Sequence, residues 1–169
     1  MRPVLAILCL AAASCMRPEA LPPPPSGIQT IALLRPTNRT GGELPVQGGW
    51  GLDEVLGRPR LTAIDVLQAE CARILRARGF TVHTEAGPDT PVLRLVVERW
   101  EPSPPPVAFV RVSIAASLVD EVTGHRRWEA ARKRWLVDTR GQPSLAAANA
   151  EAARQVAATI LAGWQAASP

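Results

Sequence analysis

The sequence predicts an α+β domain: a mixed sheet of about five strands with two helices packed on it, in the order β-α-β-β-β-β-α. Three observations predict it. Val107 to Val119 alternates apolar and polar residues almost without break, as a half-buried strand does. Two separate stretches, near residues 62–78 and 144–167, repeat apolar residues at helical spacing instead. The first of these helices lies between two short apolar runs, which suggests a crossover joining parallel strands.

Taken in order, Ile28 to Arg35 (IQTIALLR) reads as a strand ended by Pro36. Its centre, Ile31 to Leu34, is apolar on both faces, as in an inner strand. A Gly/Pro-rich loop follows from Pro36 to Arg60, long enough to be either functional or mobile. Thr62 can cap the first helix, with Asp65 completing a capping box. Ile64, Leu67, Cys71, Ile74 and Leu75 share one face of it, and Asp65, Glu70, Arg73 and Arg76 lie largely off that face. Gly79 stops the helix, and Phe80 can fold back on its last turn. Thr81 to Thr84 begins a short strand.

Residues 90–102 form the next strand, with Leu93, Leu95 and Val97 on one face and Arg94 and Glu98 on the other. In the strand at 107–119, Ala108, Val110, Val112, Ile114, Ala116 and Leu118 point one way; Arg111, Ser113 and Ser117 point the other. The turn Asp120 to Gly124 sends the chain back antiparallel. On the returning strand Trp128 and Ala130 share a parity that Trp135 and Val137 reverse, which predicts a bulge between them. Ser144 can cap the last helix. Leu145, Ala148, Ala152, Val156, Ile160 and Trp164 trace its apolar stripe, with Asn149, Glu151 and Arg154 on the exposed side. Eleven alanines between Ser144 and Ala167 allow close approach to a sheet.

The amino terminus carries an address. Arg2 precedes an unbroken apolar run from Val4 to Ala13, too short to span a bilayer but of secretory length. Ala12, Ala13, Ser14 and Cys15 then resemble a bacterial lipobox, with Ala12 where Leu is commonest. The resemblance implies a signal peptide over 1–14 and a diacylglycerol and N-acyl group on Cys15. Two or three acyl chains anchor stably where one does not. The alternative is an ordinary secretory peptide that leaves Cys15 as a plain thiol. Met16 to Gly27 holds five prolines and reads as a polyproline spacer, at most roughly 37 Å long. Domain boundaries follow: signal peptide 1–14, lipidated Cys15 and tether 15–27, one domain 28–169. Met16, rather than Asp, follows the cysteine, and the lipoprotein resemblance then implies the periplasmic face of the outer membrane.

Composition narrows the function. Apolar residues make up 47% of the chain, enough for a real core. Removing Arg2 with the signal leaves 18 Lys and Arg against 15 Asp and Glu, a balance of only +3. Cys71 is then the one structural thiol, so no intramolecular disulfide and no cysteine metal cluster is expected. His83 and His125 stand far apart, and no carboxylate pair is spaced as a general acid and base. The glycine-rich loop at 41–57 has neither the Gly-Lys-Ser/Thr of a phosphate loop nor the third glycine of a dinucleotide fingerprint. No metal, no cofactor and no catalysis are expected.

Two features could bind. Trp50, in that loop, is either a cap on the core or an exposed anchor for a partner. Arg126, Arg127, Arg132, Lys133 and Arg134 could bind anionic lipid or glycan, or simply defend an edge strand against aggregation. Export argues against nucleic acid.

The segments IALLRPTNRTG (31–41) and LRARGFTV (75–82) resemble the opening of the TolB amino-terminal domain and of the curli-secretion channel lipoprotein. Trp100, Asp120, Thr123, Gly124 and Trp128 fall in the order seen in the neisserial-antigen type of small lipoprotein. This resemblance covers most of residues 28–137. It implies a non-enzymatic envelope lipoprotein, often oligomeric, that serves assembly or secretion. The Gly/Pro insertion at 41–60 departs from it. A second resemblance is to the lipopolysaccharide-assembly lipoprotein of the outer-membrane translocon, which would imply handling of lipopolysaccharide or anionic lipid.

Overall fold

The computed structural model describes residues 20–46, 61–104 and 106–166. Its strands are β1 (Thr30–Leu33), β2 (Thr37–Asn38), β3 (Thr81–His83), β4 (Pro91–Pro102), β5 (Phe109–Asp120) and β6 (Arg126–Asp138). The helices are α1 (Ala63–Ala77) and α2 (Leu145–Ile160). The sheet runs β3-β1-β4-β5-β6, and β2 continues beside β4. β1 pairs in parallel with both β3 and β4, while β4, β5 and β6 are antiparallel. The predicted mixed α+β architecture is the one observed. One strand was not expected: β2, two residues inside the stretch read as loop, parallel to β4 through Thr37–Val96 and Asn38–Val97.

α1 forms where its sequence directs. The Thr62 hydroxyl accepts the Asp65 amide at 3.4 Å, and Asp65 Oδ2 accepts the Thr62 amide at 2.9 Å. At the other end Phe80 N–H bonds Leu75 C=O and Gly79 N–H bonds Arg76 C=O, a Schellman closure that needs the φ of +89° at Gly79. Ile64, Leu67, Cys71, Ile74 and Leu75 are all buried. Burial alone would raise the Asp65 pKa; the Thr62 hydrogen bonds and then Arg35 outweigh it and hold it below the usual value. A lowered folded pKa gives stability that is present above the ordinary carboxylate range and fades as pH falls through it. Thr62→Ala is therefore expected to cost about 1 kcal/mol at neutral pH and to flatten the stability profile below about pH 4. Thermal melts of both forms between neutral and acid pH would show it.

Register shifts on β4 and β6 set which side chains face the helices. On β4, Val97 pairs with Ile114 and Arg99 with Ser113, so Glu98 is an extra residue. Parity reverses there, and Trp100 joins Leu93, Leu95 and Val97 on the buried face. On β6, Lys133 pairs with Ile114 but Ala130 with Ala116, the bulge that the tryptophan parities predicted. Trp128 and Trp135 consequently face the same side. β5 needs no such correction: Val110, Val112, Ile114, Ala116 and Leu118 are buried.

α2 differs from expectation at three places. It ends at Ile160, four residues before Trp164, although Trp164 is still fully buried. Leu145 is 44% exposed, because it stands in the first turn, beyond the sheet. Asn149 is buried, not exposed. The buried face is broader than one stripe and includes Ala148, Asn149, Ala152, Ala153, Val156, Ala157 and Ile160. The alanines allow that breadth by keeping the helix close to its neighbours.

The stretch read as a spacer also differs. Leu21 is buried in the core, and its amide donates to Ile160 C=O at 3.2 Å. Residues from about 20 onward are therefore part of the folded body, not of a free tether.

Candidate functional site

The side chains singled out for chemistry do not converge. His83 and His125 are exposed and lie on separate strand ends. Cys71 is buried within α1, and desolvation pushes its thiol pKa well up, away from nucleophilic use. Among the described residues no group of three or more His, Cys, Asp or Glu side chains could hold a metal ion. None of the described helices is long and apolar enough to cross a membrane. Cys15 and Trp50 lie outside the described residues.

The basic run lies on β6, the edge strand of the sheet. Its described side chains do not all share one face. Arg126 is paired with Glu129, and Arg127 with Asp120 at 3.1 Å. Lys133 stands opposite Ile114 and Arg134 opposite Ser113, so these neighbours take opposite faces. Residue 132 falls in the bulge. The Asp120 carboxylate is held below its usual pKa, first by the Thr123 amide and then by Arg127. Exposed pairs of this kind contribute little to stability, but they cancel the charge that an anionic ligand would seek.

Two poles of the molecule carry more information. The near pole gathers the turn Glu121 to His125, the α1 carboxyl end and the segment after α2. Asp120 Oδ1 accepts the amides of Val122 (3.1 Å) and Thr123 (3.2 Å), and Gly124 supplies a φ of +67°. The motif residues Asp120, Thr123 and Gly124 thus build a turn. Behind it Trp128 meets Trp164 edge to face, ring centroids 5.3 Å apart, and the Phe80 ring lies tilted to Trp164 at 6.3 Å. Trp164 Nε1 donates to Pro22 C=O at 3.1 Å, and Arg78 Nη1 donates to Trp164 C=O at 3.1 Å. The amino-terminal segment is therefore fastened to the end of the last helix. A shallow hollow lined by Gly27 to Thr30, Asp89, Pro91 and Arg127 confirms that this segment and the base of the β5–β6 hairpin adjoin.

At the far pole Phe109, Leu136, Asp138 and Arg140 border an open concavity that continues to Pro143 and Leu145, with a volume of about 520 Å³ in its larger part. Leu136 is 48% exposed there. Arg140 binds Asp138 and holds its carboxyl down at about 2. Arg111 stacks over the Phe109 ring at 5.0 Å. Between the poles, Trp100 Nε1 donates to Asn149 Oδ1 at 3.0 Å, and Asn149 Nδ2 donates to Pro45 C=O at 3.1 Å. This buried relay ties sheet, helix and loop together.

No protein-family model and no curated protein matches this sequence. Solved structures do match. The PelC dodecamer from Paraburkholderia phytofirmans superposes with a TM-score of 0.55 at 19% identity, over 87% of this chain and 94% of that one. The chain shares the fold of PelC. A second crystal form of PelC gives 0.53 at 18% identity, with the same coverage. Lipoprotein GNA1162 from Neisseria meningitidis, of the neisserial type that the motifs resemble, is among the matches at 17% identity, over 66% of this chain and 84% of that one. Its TM-score, 0.38, is too low to define the fold by itself.

The sequence reading did not reach the fastening of Pro22 and Leu21 or the Trp100–Asn149–Pro45 relay. A leucine before a proline run looks like spacer composition, and only the packed helix end makes it core.

Proposed function

We propose that this chain is a lipid-anchored, non-catalytic assembly module of the bacterial envelope, tethered through Cys15 to the periplasmic face of the outer membrane and working as an oligomer. The observation that carries the reading is the whole-domain likeness to the PelC dodecamer, joined to the lipobox at Cys15. Repeated copies of a domain with two dissimilar ends and an edge strand can close into a ring through head-to-tail contacts. Trp50 and the β6 residues are the candidates for contacts between copies or with a second envelope protein. The paired state of Arg126 and Arg127 weighs against the alternative, transport of lipopolysaccharide or anionic lipid along β6.

The test is native mass spectrometry of the mature chain in detergent. An acylated residue 15 and a particle mass several times that of one copy are expected. An unmodified Cys15 would overturn the anchor. A single copy at all protein concentrations would overturn the oligomer.

A further inference from the structure

The fastening at Leu21 shortens the leash. Six residue steps separate Cys15 from Leu21, a reach of roughly 20 Å at full extension. The whole proline stretch would have reached roughly 37 Å. Strand β5 alone, Phe109 to Asp120, spans about 37 Å between the poles. Leu21 is held at the near pole, against Ile160 at the carboxyl end of α2. To turn the far pole toward the bilayer, the leash would have to run the length of the body. It is too short to do so.

We propose that the clamp of Leu21 and Pro22 on the end of α2 is an orienting device: it holds the Glu121–His125 turn and the α1 carboxyl end against a lipid bilayer and presents the Phe109–Leu136–Leu145 pole to the periplasm. The proposal rests on the reading of Cys15 as the lipid site. The Glu121–His125 turn suits apposition to lipid without electrostatic capture. Its tip, Val122, is 70% exposed and uncharged. The charges of the hairpin behind it are compensated, Arg127 by Asp120, Arg126 by Glu129 and Arg94 by Glu121, and at the α1 end Arg76 and Arg78 hydrogen-bond the Val82 and Trp164 carbonyls. The leash and not the charge sets the orientation, which therefore does not depend on salt.

The experiment labels a single introduced cysteine in the full lipidated chain. Val122→Cys marks the near pole and Leu145→Cys the far pole. Cys71 is fully buried and does not compete, and Cys15 is consumed by the lipid. Each labelled protein is reconstituted into phosphatidylethanolamine–phosphatidylglycerol vesicles doped with a headgroup nitroxide. Several-fold stronger quenching at position 122 than at 145, unchanged by salt, is expected. A long Gly-Ser insertion between Pro18 and Glu19, or Leu21→Ser, should bring the two signals together while the protein still floats with the vesicles. Flotation with equal or reversed quenching overturns the orientation and leaves the anchor standing. A contrast that survives the insertion overturns the leash as its cause. Failure to float overturns the anchor and the orientation together.

Discussion

Replacing Trp164 by alanine is expected to lower the unfolding free energy by about 4 kcal/mol and the melting temperature by roughly 8–16 °C. Trp164 is fully buried although it stands outside any helix. Three elements meet on its ring: Phe80 from the end of α1, Trp128 from β6, and Pro22 from the amino-terminal segment. Alanine would leave an aromatic-sized cavity between two remaining rings and an unpartnered Pro22 carbonyl. The cavity carries most of the cost, because neighbours on three separate elements cannot all collapse into it. Trp164→Phe separates the contributions. It keeps an aromatic ring and loses the Nε1 hydrogen bond together with some ring area, so about 1–2 kcal/mol is expected. Differential scanning calorimetry of the two variants decides the point. Equal losses would mean that the hydrogen bond to Pro22, rather than the packing, holds this pole together.

What could be read from the sequence, and what could not, divides along a physical line. Elements whose pattern is local were legible: the alternation of β5, the capping box at Thr62, the glycine stop at Gly79, and the parity break on β6. In each, the residues that decide the structure are neighbours in the chain. What was misread or left open concerns residues decided by a distant partner. Leu21 belongs to the core because the end of α2 reaches it, some 140 positions away in the sequence. Trp100 is inward because Glu98 is the extra residue of a bulge, and nothing in VVERWEP marks that residue rather than another. The basic run was legible as composition, but its pairing with Asp120 and Glu129 required the turn to be built. Cys15 and Trp50 are argued from sequence alone, the former from local signal chemistry that no fold is needed to recognise.

Asn149 shows how two such distant dependencies meet, and the second large effect follows from it. Asn149→Ala is expected to destabilise the protein by about 3 kcal/mol, because it leaves a buried indole N–H and a partly buried carbonyl without partners. Asparagine in a helix ordinarily signals a solvated face, and it was placed there. The side chain instead sits among alanines, where it is 2% exposed, and its amide is used at both ends. Its oxygen accepts from Trp100 and its nitrogen donates to Pro45. Removing one member of such a relay costs more than removing the pair of partners. The double variant Trp100→Phe with Asn149→Leu should therefore be more stable than the two single effects predict, by about 1 kcal/mol or more. Chemical denaturation of the four forms gives this coupling directly. Strict additivity would mean that the Trp100–Asn149 contact is incidental and that the cost of each change is cavity alone. A positive coupling would make Asn149 a residue that locks the bulged end of β4 to α2.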